Sequence, residues 1–368
     1  MLGDRTNVVI IGGGIAGCAA AYYLARAGAR VTLLERGAVC SEASSAAAGL
    51  AAASSREGSL LEWAQASLRL LEQAGQEMGI DFEFSRRGSL MLLRLPEEVE
   101  RWRGFAERQQ GRGIDIRFVD RETALEMEPN ASPDILGALY SPIDYMANPY
   151  ATTLAFARSA HRLGATIRTE VPVTSLKAEG GRVRAAVTSA GEVAGDVVLV
   201  ATGAWSPQLA RTIGLDLPVE PSRGQIVVTE PLPAVTRTVV KDTGHIYVCP
   251  TRRGNYVIGS MTEKVGFNKS LTAEKVREYV AEGAALVPAL RRAKVLRAWA
   301  GLRPLSPDNT AILGPVEGYD GLALSTGHSR LGILLSAFTA KLVSDWITTG
   351  KTDFPLAPFS LARFRPAA

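Results

Sequence analysis

The stretch NVVIIGGGIAG, residues 7–17, decides the fold class of this chain. Residues 7–11 form a continuous apolar run rich in β-branched side chains, which is typical of a strand buried on both faces. The Ala-rich run 15–28 that follows has helical spacing and a Gly at its end. Residues 30–35, RVTLLE, have the character of a second strand, so this region predicts a β-α-β unit.

The glycines between the first strand and the helix have the spacing GxGxxG, with Gly12, Gly14 and Gly17. The first two permit a tight turn and the close approach of a pyrophosphate, and the third lets the helix pack on the strand. Glu35 ends the second strand, where a carboxylate can accept both ribose hydroxyls of an adenosine. In this context the motif predicts a dinucleotide site and disfavours a Gly-rich turn without a ligand.

Three further segments favour FAD over NAD. The loop 43–52, ASSAAAGLAA, is long and built of small residues that can lie along a flavin, although a plain solvent loop has a similar composition. The strand and turn 197–206, VVLVATGAWS, can bring backbone close to a dinucleotide. In 322–343 a helix is predicted to start near 330–332, and its N-terminus can face a reduced, anionic flavin while Ser329 caps it.

The composition predicts a globular protein with a large core. The chain has 368 residues, of which 46% are hydrophobic, and this length suggests two domains. The net charge is +4 without a basic run, which disfavours nucleic-acid binding and favours small anionic substrates. Three cysteines without a CxxC pair predict a reducing, cytoplasmic location. The sequence shows no signal peptide, no membrane-spanning segment and no metal-ligand spacing among its His and Cys residues.

A change in character at Gly88 predicts a second domain inserted in pieces into the first. The predicted FAD-binding domain comprises residues 1–87, 146–222 and 299–368, and the predicted substrate-binding domain comprises residues 88–145 and 223–298.

The segment 299–314, WAGLRPLSPDNTAILG, carries a cation, Arg303, in a predominantly apolar run. A buried guanidinium needs a carboxylate partner, from the protein or from a ligand. On the residues alone, an ion pair within the protein is the favoured interpretation, and Asp308 is the nearby candidate.

Several motifs together resemble a known family. VVIIGGGIAG with Glu35, SSAAAGL, VATGAWS, WAGLRP followed by SPD and ILG, and GHSRLGILLS occur in this order. The set resembles the D-amino-acid oxidase type of flavoprotein, and most of all its glycine oxidase and sarcosine oxidase branch. The resemblance implies an α/β fold in which an FAD-binding Rossmann-like domain is interleaved with a mainly antiparallel β-sheet substrate domain.

The resemblance also implies roles for individual residues. Arg303 matches the arginine that holds the substrate carboxylate, which now favours the ligand over the ion pair, and Tyr247 matches a tyrosine that hydrogen-bonds the same ligand. Arg330 either flanks the mouth of the site or is solvated, and Met261 with Thr262 is expected to line the pocket. The residues expected to contact FAD are Gly12, Gly14, Ile15, Ala16, Gly17, Glu35, Arg36, Ala43, Ser44, Ser45, Ala48, Gly49, Leu50, Val173, Thr202, Gly203, Trp205, Gly301, His328, Ser329, Arg330, Leu331, Gly332, Ile333 and Leu334.

The chain departs from the family pattern at three positions. Leu331 replaces an Asn typical of glycine oxidases, which weakens the assignment to glycine. Gly301 lies in the segment where monomeric sarcosine oxidases carry a flavin-linked Cys, so FAD is expected to be non-covalent. Val257 occupies the position of an oxygen-activating Lys, which leaves the electron acceptor open. His161 and His245 are expected to be structural or exposed.

The predicted activity is oxidation of a small amino acid or N-methyl amino acid to the imine, by hydride transfer to flavin N5. Oxygen is the expected acceptor, with release of hydrogen peroxide. The alternative is the FAD subunit of a dehydrogenase that passes electrons to a partner or quinone; an NAD-dependent dehydrogenase and a non-catalytic flavin sensor are weaker rivals. Glycine, sarcosine, proline-like imino acids and D-amino acids all fit the pattern, and a homo-oligomer is compatible with it.

Overall fold

The fold was analysed in a computed structural model that describes residues 6–54, 56–244 and 246–365. The α-helices in these residues are α1 (Ile15–Arg26), α2 (Gly58–Met78), α3 (Pro96–Gln110), α4 (Arg121–Met127), α5 (Pro149–Arg162), α6 (Ser206–Ala210), α7 (Ala273–Leu286) and α8 (Gly332–Thr349). The strands are β1 (Asn7–Ile11), β2 (Arg30–Leu34), β3 (Leu50–Ala51), β4 (Ser85–Arg86), β5 (Ser89–Leu93), β6 (Arg117–Asp120), β7 (Gly137–Ser141), β8 (Tyr145–Met146), β9 (Thr166–Arg168), β10 (Val173–Glu179), β11 (Arg182–Thr188), β12 (Gly191–Ala194), β13 (Val197–Val200), β14 (Glu220–Thr229), β15 (Val239–Lys241), β16 (Tyr247–Pro250), β17 (Tyr256–Gly259), β18 (Val295–Leu305), β19 (Ile312–Val316) and β20 (Tyr319–Thr326).

The first sheet is built around the predicted β-α-β unit. Its strands run in the order β10-β11-β20-β13-β1-β2-β9, with β12 beside β11 and β19 beside β20. The central pairs β20-β13, β13-β1, β1-β2 and β2-β9 are parallel. Ligands of open parallel sheets bind beyond the carboxyl ends of the strands, so the loops after β1, β2, β13 and β20 are placed to form one site.

The second sheet has the order β18-β14-β17-β16-β15-β5-β7-β6. Its pairs are antiparallel except for β15 and β5, which are parallel. A small third sheet joins β3, β8 and β4. A parallel sheet with helices and a mainly antiparallel sheet confirm the predicted fold class.

Small side chains bring helix α1 close to the first sheet. Ala19, Ala20 and Ala21 are fully buried, and α1 packs against α5 and α8. The contact is closest at the motif glycines: a Cβ on Gly17 would lie 2.0 Å from the carbonyl oxygen of Gly12. Any side chain at position 17 therefore has to push α1 away from β1.

Two of the predicted domain boundaries fall inside paired strands. β14 crosses the boundary at 222/223 and β18 crosses the boundary at 298/299, and the two strands pair from Glu220–Leu305 to Thr229–Val295. Residues on both sides of each boundary therefore belong to the second sheet. We propose the same two domains with these boundaries moved to the strand ends, because both strands continue unbroken through the predicted division.

None of the helices in the described residues combines the length and the apolar character needed to cross a membrane.

Replacing Gly17 with Ala is expected to lower the free energy of unfolding by about 1–3 kcal/mol, because the added methyl group overpacks a backbone contact. The same substitution at Gly104, in the middle of α3, meets no atom closer than 3.5 Å and is expected to stabilise by about 0.5–1 kcal/mol. Urea unfolding of both variants measures the two effects, and equal destabilisation of both would contradict the packing argument.

Candidate functional site

A large cavity of about 1030 Å³ lies between the loops of the first sheet and the second sheet. Nearly all of the predicted cofactor and substrate residues line it. The exceptions are Gly17, Ser45 and Met261, which do not contribute to its wall, whereas Thr262 does. The predicted residues, which come from segments far apart in the chain, thus lie around one cavity.

The dinucleotide end of the cavity is built by the motif glycines. Gly12 has φ +112°, and a Cβ there would lie 2.5 Å from the carbonyl oxygen of Ala201. Gly14 is the N-cap residue of α1, and the N–H of Ile15 donates to the Ser44 hydroxyl at 2.9 Å. The other N–H groups of the first turn and the absence of Cβ atoms leave donors and room for a pyrophosphate.

Glu35 lies where the motif predicts the ribose-binding carboxylate. Its Oε2 accepts a hydrogen bond from the N–H of Gly13 at 2.6 Å, and its Oε1 accepts from the N–H of Gly37 at 2.9 Å. Both bonds fix the carboxylate at the cavity wall, and each oxygen retains acceptor capacity for a hydroxyl.

The loop after β2 closes this end of the cavity. The guanidinium of Arg36 lies 4.1 Å from the centre of the Trp205 ring and also pairs with Glu42 at 2.8 Å. Gly49 has φ +86°, and a Cβ there would lie 2.0 Å from the carbonyl oxygen of Ala147. The small residues of this loop are therefore required by close packing as well as by space for a ligand.

The turn before α8 corrects one prediction. Ser329 does not cap the helix: α8 begins at Gly332, its N-cap residue is Leu331, and no side chain caps it. Ser329 has φ +51°, and its N–H donates to the carbonyl oxygen of Pro304 at 2.8 Å. The turn is tied to β18, and the uncapped N–H groups of α8 remain available at the cavity.

The substrate end is organised around Arg303, which is half-buried on β18. Its Nη1 donates to the carbonyl oxygen of Met261 at 3.1 Å, and its Nη2 donates to the hydroxyl of Ser260. The guanidinium lies over Gly224 of the paired strand, where a Cβ would come within 2.4 Å of Cζ. Gly224 is thus the residue that makes room for the cation.

Asp308 is not the partner of Arg303. Its carboxylate pairs with Arg363 at 2.8 Å instead. Among the described residues, no ion pair joins a carboxylate to Arg303. The protein holds this cation by neutral oxygens alone, which favours a carboxylate of the ligand as its counter-charge.

Tyr247 lies beside the same guanidinium. Its hydroxyl donates to the Ser260 hydroxyl at 3.2 Å. Burial raises the pKa of Tyr247, and the positive charge of Arg303 opposes that rise. The phenol is therefore neutral near pH 7 and keeps its proton for hydrogen bonding.

The glycine-rich turn, Glu35 and the cavity agree with what comparison with known proteins finds. The model of the DAO family, FAD dependent oxidoreductase, matches residues 7–346. The chain belongs to this family. It is an FAD-dependent oxidoreductase, and both the resemblance and the cofactor predicted from the sequence are confirmed.

Proteins similar to this chain in sequence and structure include enzymes with different names. Glycine oxidase of Geobacillus kaustophilus is 32% identical over 98% of this chain and 97% of its own, and its crystal structure superposes with a TM-score of 0.93. L-proline dehydrogenase from P. horikoshii superposes with a TM-score of 0.92 at 27% identity, covering 99% of this chain and 98% of that one. Mitochondrial dimethylglycine dehydrogenase of Rattus norvegicus is 30% identical over 98% of this chain but only 45% of its own.

Sequence reasoning missed three polar residues of this FAD-dependent oxidoreductase. Arg56 and Lys241 line the cavity, and Ser260 holds both Arg303 and Tyr247. Arg56 follows the small-residue loop and Lys241 ends a short strand, so neither lies in a motif that points to a ligand. The His residues behave differently from one another: His161 is exposed, His328 is buried, and the prediction for His245 falls outside the described residues. The structure offers no group of three or more His, Cys, Asp or Glu residues for a metal within the ranges that it describes.

His328 is a buried, neutral histidine in the turn before α8. Its Nε2 lies 3.1 Å from the Thr339 hydroxyl, which itself donates to the carbonyl oxygen of Leu335 at 2.9 Å. The Thr339 proton is thus engaged, so Nε2–H of the imidazole donates to Thr339. Burial lowers the pKa of His328 to about 4, from an ordinary value of 6.5.

The free energy of unfolding is expected to fall as the pH falls from 6.5 to 4. Between pH 6.5 and 4 the unfolded chain binds a proton on this histidine that the folded protein does not, so the free energy of unfolding decreases. The full effect is about 3 kcal/mol, since one pKa unit corresponds to ~1.4 kcal/mol. Above pH 6.5 the contribution is constant. His328→Asn is expected to flatten this dependence in urea unfolding at pH 5 and 7.5, and His161→Gln is expected to retain it; identical slopes in both variants would contradict the assignment.

Proposed function

We propose that this FAD-dependent oxidoreductase oxidises a small amino acid or N-methyl amino acid to the imine, with oxygen as the acceptor. The observation that carries this proposal is the Arg303 guanidinium, which lies in the cavity and forms no ion pair with a carboxylate of the residues that the structure describes. FAD, when bound, would supply the redox chemistry between the substrate amine and oxygen, with hydrogen peroxide as the product, and Arg303 would hold the substrate carboxylate. The similarity to glycine oxidase supports the substrate class.

Arg303 is suited to bind the substrate carboxylate. A guanidinium has five N–H donors, and two of these are engaged with Met261 and Ser260. The remaining donors are available for a bidentate pair with a planar carboxylate. The two protein bonds fix the orientation of the guanidinium, so the ligand meets a preorganised donor.

Ser260, oriented by Tyr247, adds a neutral donor to this charge. The Ser260 oxygen accepts from both Arg303 and Tyr247, so its own proton is free to donate to a ligand. A neutral donor of this kind orients a carboxylate without adding a second positive charge that would repel a protonated substrate amine.

Non-covalent binding of FAD remains part of the proposal. Gly301 lies at the cavity wall without a side chain that could bond to flavin, and Cys18, Cys40 and Cys249 are all buried away from that wall. Heating the purified yellow protein and filtering it is expected to release all of the flavin absorbance into the filtrate. Flavin that stays with the precipitated protein after acid or heat would show a covalent link.

Arg303→Leu is expected to raise KM for carboxylate substrates by at least about 100-fold, because two charge-assisted hydrogen bonds contribute ~1.5–3 kcal/mol each. The variant is expected to keep its FAD. Anaerobic reduction of the flavin by a panel of amino acids, followed by its visible absorbance, measures the effect.

Arg297→Leu is the matched control, because Arg297 is an exposed arginine on the same strand, β18. It is expected to react as the unmodified enzyme does. Normal turnover of amino acids by Arg303→Leu would show that Arg303 does not bind the substrate carboxylate.

A second candidate is a dehydrogenase that passes electrons to a partner or quinone. Two observations favour it: Val257 at the position of the expected lysine, and the similarity to two enzymes named dehydrogenases. Stoichiometric peroxide in air, with no rate gain from an artificial electron acceptor, supports the oxidase; rapid turnover only with the artificial acceptor supports the dehydrogenase.

A further inference from the structure

Three arginines line the same cavity without a carboxylate partner. Arg56, Arg303 and Arg330 all contribute to its wall. The ion pairs within the described ranges include none of them. We refer to these three residues as the arginine cluster.

The three charges act on one another. Desolvation at the cavity wall lowers the pKa of Arg330, and the positive charges of Arg303 and Arg56 lower it further, although Arg330 as a whole residue is exposed at the edge of the cavity. Burial also lowers the pKa of Arg56. A cavity that places like charges within electrostatic reach of each other is favourable only when anions occupy it.

The acidic residues near the cavity are engaged elsewhere. Lys241 is left out of the cluster because its Nζ lies 3.4 Å from the buried carboxylate of Asp144. Asp144 also accepts from the Ser54 hydroxyl at 2.6 Å and from the Ser89 hydroxyl, so Arg56 feels its charge without a hydrogen bond to it. Two of the other acidic side chains at the wall accept from main-chain N–H groups: Glu35 from Gly13 and Gly37, and Asp242 from Gly244 and Ile246. The remaining two form ion pairs: Glu42 with Arg36 and Lys269, and Asp308 with Arg363.

Arg56 lies within electrostatic reach of Arg330, which is itself within reach of Arg303 and Tyr247. It precedes α2, and its carbonyl oxygen accepts from the side chain of Gln109 on α3, at 3.4 Å. Its Nε is buried and has no hydrogen-bond partner. A buried cationic donor without an acceptor is costly in the ligand-free protein and marks a place where a ligand acceptor belongs.

The single carboxylate of glycine or sarcosine leaves this charge unbalanced. One carboxylate neutralises one guanidinium, and the proposed function assigns it to Arg303. Arg56 and Arg330 then still lack an anion on the substrate side.

We propose that the physiological substrate is an amine with two carboxylates, and that Arg56, assisted by Arg330, binds the second one. This inference rests on the proposed function, in which Arg303 binds the first carboxylate. The second carboxylate can be carried on the amine nitrogen, as in iminodiacetate, or on a side chain, as in D-aspartate and D-glutamate. The two sources share the same recognition chemistry, a planar anion on a guanidinium fork.

The first test compares substrates on the FAD-loaded enzyme. Anaerobic flavin reduction is measured with glycine, sarcosine, iminodiacetate, D-aspartate and D-glutamate. At least one amine with two carboxylates is expected to show a kcat/KM about 100-fold above that of glycine and sarcosine, the scale of one buried charge pair. Reaction with iminodiacetate would place the second carboxylate on the amine nitrogen, and reaction with D-aspartate or D-glutamate would place it on a side chain.

The second test measures binding without turnover. Malonate, succinate and glutarate are titrated against acetate by the change that they cause in the flavin spectrum. Arg56→Met, which keeps an unbranched apolar chain and removes the charge, is expected to weaken the best dicarboxylate about 100-fold and acetate less than about 3-fold. Arg56→Lys is expected to recover part of the dicarboxylate affinity, since it restores the charge without the planar fork. Arg112→Met, at an exposed arginine after α3, is the matched control and is expected to bind all ligands as the unmodified enzyme does.

The outcomes separate this inference from the proposed function. Preference for glycine or sarcosine over all three amines with two carboxylates overturns the inference and leaves amino-acid oxidation standing. Unchanged dicarboxylate affinity in Arg56→Met also overturns it. A panel in which no amine reduces the flavin contradicts the proposed function and this inference with it. Should Arg56→Met fail to fold, the substrate panel and the Arg56→Lys titration decide the question.

Discussion

The guanidinium of Arg303 is held by two neutral oxygens and by no carboxylate among the described residues. This is the constraint on which the rest of the site depends. A half-buried cation with neutral partners keeps an unbalanced positive charge, which costs free energy. Gly224 gives the group its space, and Ser260 links it to Tyr247. This arrangement is the basis for our proposal that the fold carries a preformed anion site at Arg303.

Two sheets of different type make that arrangement possible. The parallel strands of the first sheet end at one edge, where backbone N–H groups at α1 and α8 and the carboxylate of Glu35 meet. The long paired strands β14 and β18 of the second sheet carry Gly224 and Arg303 to the same cavity. The N–H group of Ser329 bonds to Pro304 and so ties the turn before α8 directly to the arginine strand. The Leu305–His328 bridge and the hydrogen bond from Ser306 N–H to the Ser329 hydroxyl strengthen this connection between the two ends of the cavity.

Local patterns explain how much the sequence predicts. The GxGxxG turn, the helix after it and the carboxylate of Glu35 follow from contacts within a few dozen residues, and all three are found where the pattern places them. The ion pair that the residues alone favoured for Arg303 does not form: Asp308 is near in sequence, yet it pairs with Arg363 from the C-terminal segment. Ser329 has the composition of a cap but a backbone conformation set by its bond to β18. These errors share one cause, because each residue's role depends on a segment remote in the chain.

The buried charges around the cavity illustrate the same dependence. Lys241 and Arg56 are both cations that lie outside any recognisable motif. They differ in the contacts that residues remote in the chain make with them. Asp144, held by Ser54 and Ser89, meets Lys241 at 3.4 Å and neutralises it, so that pair is complete within the protein. Arg56 receives the field of the same carboxylate but no bond from it, and its Nε stays unsatisfied. Since an unsatisfied buried donor costs free energy, the contrast between these two half-buried residues is the basis for our proposal that Arg56 binds a ligand whereas Lys241 serves the fold.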